Sequence, residues 1–164
     1  MLHIHKKAAA IDNSNIEDVL DAPGLLRQQA YIDGAWTGSN KTITVTNPAD
    51  GSVLGTVPNL GADEANQAIN AAEQAFPAWS KMLAKDRAAI LRRWADLMRK
   101  NKDDLALIMT LEQGKPLAES LGEIEYAASF FDWFGEEGKR AYGDTIPTHL
   151  QGSKMIVSKQ PIGV

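Results

Sequence analysis

The longest helical pattern in the chain, from Pro116 to Arg140, carries apolar residues on two different sides. One side is a stripe at helical spacing that consists of Leu121, Ile124, Ala128 and Phe131. The other side is aromatic and consists of Tyr126, Phe130, Trp133 and Phe134. A helix on the surface of a domain needs only one apolar stripe, so the second one predicts burial between two layers of structure. We expect core packing to supply both layers, and a second layer missing from the chain is the alternative.

Shorter helical patterns precede this one. Apolar residues recur at three- and four-residue spacing from Ala62 until Pro77, where we expect the helix to end. A second pattern covers 86–100, and a third covers 103–113. Gly114 follows the third pattern, where a left-handed cap ends a helix, and Pro116 then suits the first turn of the next helix.

Turn chemistry predicts two β-hairpins before the helices. Asp33-Gly34 stands between two apolar pairs, which is a strong signal for a tight turn. The β-branched run 42–46 and the apolar run 53–57 flank a turn of the composition Asn-Pro-Ala-Asp-Gly. After the helices, Gly143-Asp144-Thr145 breaks the pattern and 155–159 reads as a final strand. Two hairpins, about four helices and a strand predict an α+β fold.

Composition limits the possible functions. Of the residues, 44% are apolar and 23% are charged, as in a globular domain, and no stretch approaches the length of a membrane span. A net charge of −4 without a basic stripe argues against nucleic acid as a partner. The chain has no cysteine, which excludes disulfides and a thiol nucleophile. Residues 1–24 resemble neither a secretory signal nor a transit peptide, so we expect a mobile extension with a short turn at 16–20 and a cytoplasmic protein.

No motif in the chain defines a reaction by itself. Gly114-Lys115 lacks the earlier glycine of a phosphate loop, and the glycines show no dinucleotide-binding spacing. Glu119 and Glu123 lie one helical turn apart, but such a pair is more often a solvated face than an acid/base pair. The residue pattern therefore predicts a fold without a catalytic constellation.

Several longer runs carry a family resemblance. They are RQQAYIDGAW from Arg27, TNPADG from Thr46, TLEQGKPLAES from Thr110, GEIEYAASFFDWFGEEGKRAYGDTIP from Gly122, and KQPIGV from Lys159. Together they make residues 25–164 resemble the N-terminal third of an aldehyde dehydrogenase, most similar to the NAD(P)-dependent succinate-semialdehyde dehydrogenases. The resemblance implies a truncated product that stops where the cofactor domain would begin.

The resemblance also implies a division of chemistry. In this family a cysteine attacks the aldehyde, an asparagine helps to hold the oxyanion and a glutamate activates the deacylating water, and the motifs that carry these groups are not in this chain. We therefore expect the chain alone to be inactive and to bind neither NAD nor NADP. The full-length family oxidises succinate semialdehyde or a related aldehyde and is expected to form homo-oligomers. Its early strands and the strand before QPIGV belong to the oligomerisation domain, while the helices pack on the cofactor domain, which accounts for the second apolar side of the long helix.

Three positions are candidate site residues by resemblance. Tyr126 and Phe130 match a helix face that borders the substrate tunnel, although plain core packing explains them equally well. Glu112 matches a position where some relatives place a carboxylate near a structural monovalent cation. The alternative function is a non-catalytic interaction module, in which the exposed side of the long helix and the final strand bind a partner.

Overall fold

The computed structural model describes residues 15–164. In that part of the chain, hairpin strands precede and follow a run of helices. The strands are β1 (Ala30–Ile32), β2 (Ala35–Thr37), β3 (Thr42–Thr46), β4 (Val53–Pro58), β5 (Asp144–Ile146) and β6 (Met155–Val157). The helices are α1 (Ile16–Val19), α2 (Ala62–Lys81), α3 (Ala84–Lys100), α4 (Lys102–Gln113) and α5 (Leu117–Glu137), with single 3₁₀ turns at Pro23–Leu25 and Gly138–Arg140.

The two predicted hairpins are confirmed, and their turns explain them. β1 pairs antiparallel with β2 around Asp33 and Gly34, whose φ angles of 50° and 77° are those of a tight primed turn. β3 pairs antiparallel with β4, and a bulge interrupts the register at Val45 and Thr46. In the connecting turn the Asn47 Oδ1 accepts a hydrogen bond from the Ala49 N–H at 3.0 Å.

The C-terminal part of the chain forms a third hairpin rather than a lone strand. β5 pairs antiparallel with β6, so the break predicted at Gly143-Asp144-Thr145 is wrong from Asp144 onwards. β6 also ends at Val157, two residues before the predicted end. A three-residue strand carries too little periodicity to be recognised, and its partner lies a full loop further along the chain. Every residue of both strands is exposed.

The expected helix end at Pro77 is also wrong, because α2 continues to Lys81. A proline inside a helix removes one backbone N–H donor and normally bends or ends the helix. Here it lies only one turn from the end, and the Ser80 hydroxyl donates a hydrogen bond to the Pro77 carbonyl at 3.2 Å. At the start of α2, the Gly61 N–H donates to the Glu64 carboxylate at 2.9 Å, which lowers the pKa of Glu64.

α5 packs on α3 and α4, and small residues allow the close approach. Ala95, Ala106 and Ala128 are completely buried. Gly135 faces α3 so closely that a Cβ there would lie 3.6 Å from the Ala88 carbonyl oxygen. Between α4 and α5 the buried Ser120 hydroxyl shares a hydrogen bond of 2.8 Å with Thr110. The predicted cap at Gly114 is confirmed, since its φ of 78° is left-handed.

The N-terminal part of the described chain packs on α4. Ile16 and Leu20 form a core cluster with Leu107 and Leu111. The Asp104 carboxylate, only 3% exposed, accepts hydrogen bonds from the backbone N–H groups of Asp21 at 3.1 Å and Ala22 at 2.8 Å. The segment assigned to an extension therefore contacts the core from Ile16 onwards, and 1–14 lie outside the described residues. Within 15–164, no helix is long and apolar enough to cross a membrane.

Candidate functional site

The side of α5 that faces away from α3 and α4 is a row of exposed aromatic rings, which we call the aromatic face. Its members and their exposed fractions are Tyr126 at 65%, Phe130 at 44%, Trp133 at 65% and Phe134 at 57%. The opposite stripe is buried, with Ile124 at 6% and Ala128 at 0%. The expectation that core packing supplies both layers is therefore wrong for the described residues, because α3 and α4 both lie on the same side of α5.

The rings of the aromatic face pack on one another along the helix. Tyr126 and Phe130 meet edge to face with centroids 4.8 Å apart, and Phe130 and Phe134 stack at 6.4 Å. Residues four apart share a helix face, so the row follows directly from the spacing of the sequence. These contacts hold the two predicted tunnel residues together as one apolar wall. The wall can exclude water and contact an apolar chain, but it carries no acid or base except the Tyr126 hydroxyl.

A depression of about 570 Å³ lies at the C-terminal end of this helix. Its lining is Ser129, Asp132, Trp133, Glu136, Glu137 and Arg140. Sequence reasoning missed it, because it depends on how the 3₁₀ turn at Gly138–Arg140 continues the helix. Its carboxylates are all paired: Glu136 with Lys139 at 2.7 Å and with Arg92 at 2.6 Å, and Glu137 with Arg140 at 2.7 Å. The Lys139 ammonium lowers the pKa of Glu136, which keeps that group ionised and unsuited to donate a proton near neutral pH.

Arg99 of α3 fixes the orientation of α5 beside the aromatic face. Its guanidinium donates to the Glu125 carboxylate at 2.8 Å and to the Asp132 carboxylate at 2.7 Å, and Lys102 lies 3.6 Å from Glu125. The hydrogen bond from Arg99 lowers the pKa of Glu125, while Glu125 and Asp132 raise the pKa of Arg99. A planar fork that binds two carboxylates resists rotation of α5 about its axis. The sequence offers no signal for this bridge, since its members are 26 and 33 residues apart.

Glu112 lies elsewhere, near the C-terminal end of α4. It is exposed and borders a narrow cleft of about 20 Å³ between α4, the segment 26–28 and β4. Among residues 15–164, no group of three or more His, Cys, Asp or Glu side chains could hold a metal ion. Glu112 thus supplies one carboxylate, and any further ligand would have to be a carbonyl or an amide oxygen. The structure does not bring it together with Tyr126 and Phe130.

The other motifs considered in the sequence carry no chemistry here. Glu123 pairs with Lys115, which supports the solvated-face interpretation of Glu119 and Glu123. Dinucleotides bind at the carboxyl ends of parallel strands, whereas every sheet in the described chain is a two-stranded antiparallel hairpin. The residues described here therefore do not fit a nicotinamide dinucleotide.

Comparison with known proteins decides the family. Residues 36–164 match the family model described as the aldehyde dehydrogenase family. The chain belongs to that family. This confirms the resemblance seen in the sequence, which ran through the long helix and the KQPIGV segment.

Semialdehyde dehydrogenases are among the similar members of the aldehyde dehydrogenase family. The glutarate-semialdehyde dehydrogenase of Pseudomonas aeruginosa is 61% identical over 142 residues, which cover 85% of this chain and 29% of the relative. The NADP(+) succinate-semialdehyde dehydrogenase of Escherichia coli is 60% identical over 147 residues, which cover 88% of this chain and 30% of the relative. The chain thus spans about 30% of the length of these relatives.

A solved aldehyde dehydrogenase structure confirms the α+β fold. The crystal structure of succinate-semialdehyde dehydrogenase from Burkholderia pseudomallei superposes with a TM-score of 0.85 at 56% identity. The superposition covers 88% of this chain and 30% of that chain. Helices and hairpins of this chain therefore adopt the arrangement they have in a much longer aldehyde dehydrogenase.

Proposed function

We propose that this chain supplies part of a semialdehyde dehydrogenase, with succinate semialdehyde or glutarate semialdehyde as the substrate. The supporting observation is the identity of 60% and 61% to enzymes of those two names. In the reaction, the aldehyde and water are converted to the carboxylic acid, and a hydride passes to NAD⁺ or NADP⁺ with release of one proton. The whole enzyme is proposed to be a homo-oligomer in which the exposed β5–β6 hairpin contributes to subunit contacts.

The part of the reaction that this chain serves is the binding of the substrate, not the covalent step. We assign Tyr126 and Phe130 to the wall of the substrate tunnel, because their rings form one exposed apolar surface. Glu112 is proposed as a carboxylate near a structural monovalent cation, at the cleft between α4 and β4. The chain contains no cysteine to attack the aldehyde, so we propose that it has no activity alone.

The first test is an assay of the purified chain. Reduced nicotinamide is followed by its absorbance with either semialdehyde and either cofactor, and the Escherichia coli relative serves as the positive control. We expect no turnover by the chain alone. Turnover that stays with the chain through repurification contradicts the proposed division of chemistry.

The second test places this chain in a working enzyme. The matched segment of the Escherichia coli relative is replaced by the present sequence, and Phe130→Ala is introduced into the chimera. We expect kcat/KM for the semialdehyde to fall by about tenfold, which corresponds to about 1.4 kcal/mol, with no change in the KM for the cofactor. The control is Trp79→Ala on α2, which removes another exposed aromatic ring away from α5. An unchanged kcat/KM in Phe130→Ala contradicts the tunnel assignment.

A further inference from the structure

The chain exposes more surface than a folded monomer of its size. Its accessible surface is 11746 Å² at a mass of 17.8 kDa, whereas a monomer of that mass exposes about 8,000 Å². The 14 residues outside the described part could account for at most about 2,200 Å², even as a fully exposed chain. At least about 1,500 Å² of excess surface therefore belongs to residues 15–164, which is the scale of one partner's share in a permanent interface.

The aromatic face is the largest apolar part of this surface, and it continues onto α3. Trp94 of α3 packs on Phe131 of α5 with ring centroids 4.7 Å apart and is itself 55% exposed. Leu97 lies one turn further along α3 and is also exposed. Rows of aromatic rings that are fixed by contacts with one another are typical centres of protein interfaces.

The helices below this surface are held without a partner. The Arg99 bridge to Glu125 and Asp132 joins α3 to α5, and the buried hydroxyl pair of Thr110 and Ser120 joins α4 to α5. A preformed surface loses little conformational entropy on binding, so more of its contact energy appears as affinity.

We infer that the aromatic face binds, in trans, a separate polypeptide that carries the remaining part of an aldehyde dehydrogenase fold. The inference rests on the proposed function and goes beyond it, since it makes the enzyme a two-chain assembly. It is supported by the superposition on a relative at a TM-score of 0.85 while about 70% of that relative lies outside the matched region. The body of this chain thus already has the shape that the complementary part of the fold would meet.

A second copy of this chain fits the aromatic face less well. Two α5 helices paired around a two-fold axis through their midpoints would bring Glu119 of one copy near Glu137 of the other. Both residues are exposed carboxylates on the same side as the rings, and like charges across an interface disfavour pairing.

The test is co-expression of the full chain with the part of the Pseudomonas aeruginosa relative that it does not match. Stoichiometry is measured by size-exclusion chromatography with light scattering. We expect a 1:1 complex that survives purification, and we expect Trp133→Lys to weaken it by at least about tenfold. Trp79→Lys is the matched control, because it places the same charge at an exposed tryptophan of α2. Circular dichroism of both variants checks that the helices are intact.

Three outcomes would overturn the inference. They are failure of the chain to bring the complementary segment into solution, equal binding by wild-type and Trp133→Lys chains with intact helices, and a homodimer of this chain alone that Trp133→Lys dissociates. The proposed function is judged separately by adding semialdehyde and cofactor to the purified complex. A 1:1 complex without turnover confirms the binding surface and counts against the proposed reaction.

Discussion

Gly114 is constrained by its backbone conformation and by a neighbour. Its φ is 78°, and a Cβ at this position would lie 2.7 Å from the Cγ of Pro48 in the β3–β4 turn. Left-handed backbone costs a residue with a side chain about 1–2 kcal/mol. We expect Gly114→Ala to lower the free energy of unfolding by more than that, as measured by urea denaturation, because the Pro48 contact adds to the conformational cost.

Gly51 provides the control for Gly114. Its φ of 77° is nearly the same, but nothing lies within 4 Å of an added Cβ. Gly51→Ala therefore measures the conformational cost alone, at about 1–2 kcal/mol. Equal effects in the two variants would show that the turn around Pro48 moves aside freely.

Asp104 holds the segment that follows α1 on the core. Its buried carboxylate accepts the N–H groups of Asp21 and Ala22, and Asp104→Ala removes both acceptors. Hydrogen bonds to a charged group contribute about 1.5–3 kcal/mol each, so we expect a loss of several kcal/mol and faster hydrogen exchange at these two amides. Asp103→Ala, at the exposed neighbouring position, should change neither property. Unchanged exchange in Asp104→Ala would contradict this role.

At the scale of elements, the bridge between α3 and α5 should be sensitive to acid. The pKa of Glu125 lies below its ordinary value of 4.5 because Arg99 donates to its carboxylate. A carboxylate with a lowered pKa stabilises the fold at pH values above the ordinary pKa and loses this contribution as the pH falls below it. We expect Glu125→Gln to lower the urea midpoint at pH 7 and to have a smaller effect near pH 3.

The comparison for Glu125 is Glu119→Gln on the same helix. No ion pair is formed by Glu119 with any other residue between 15 and 164. Its substitution should leave the urea midpoint nearly constant across the same pH range. A Glu125→Gln effect that grows as the pH falls would contradict the assignment of the bridge.

The sequence predicted the elements whose signals are local. Asp33-Gly34 and Gly114 are positions where few conformations are possible, and both were placed correctly. Pro77 misled the prediction, because its effect depends on how much helix remains after it. β5 was missed because its stability depends on pairing with β6 and not on its own three residues.

The candidate site shows the same division. The aromatic face was visible in the spacing of Tyr126 and Phe130, but its exposure depends on which side of α5 is covered by α3 and α4. The Arg99 bridge and the buried carboxylate of Asp104 each join parts of the chain that are distant in sequence. Tertiary polar contacts of this kind have no local pattern, so they could not be predicted. The assignments of Tyr126, Phe130 and Glu112 stay predictions.

At the scale of the whole molecule, the exposed apolar surface predicts the physical state of the chain alone. We expect it to bind hydrophobic dyes and to self-associate on size-exclusion chromatography, because the aromatic face and the open edges of the β5–β6 hairpin are both uncovered. Trp133→Gln should reduce dye binding with little loss of stability, since that side chain is exposed. A monodisperse monomer with sharp cooperative unfolding and no dye binding would contradict this expectation.

The exposure of the tryptophans decides how such experiments can be followed. All four indoles are substantially exposed, at 45% for Trp36, 40% for Trp79, 55% for Trp94 and 65% for Trp133. Indole emission moves to longer wavelengths in water, so the folded chain already emits much as the unfolded chain does. Intrinsic fluorescence is therefore a poor reporter of unfolding in this protein, but a sensitive one of any molecule that covers Trp133 and shifts its emission to the blue.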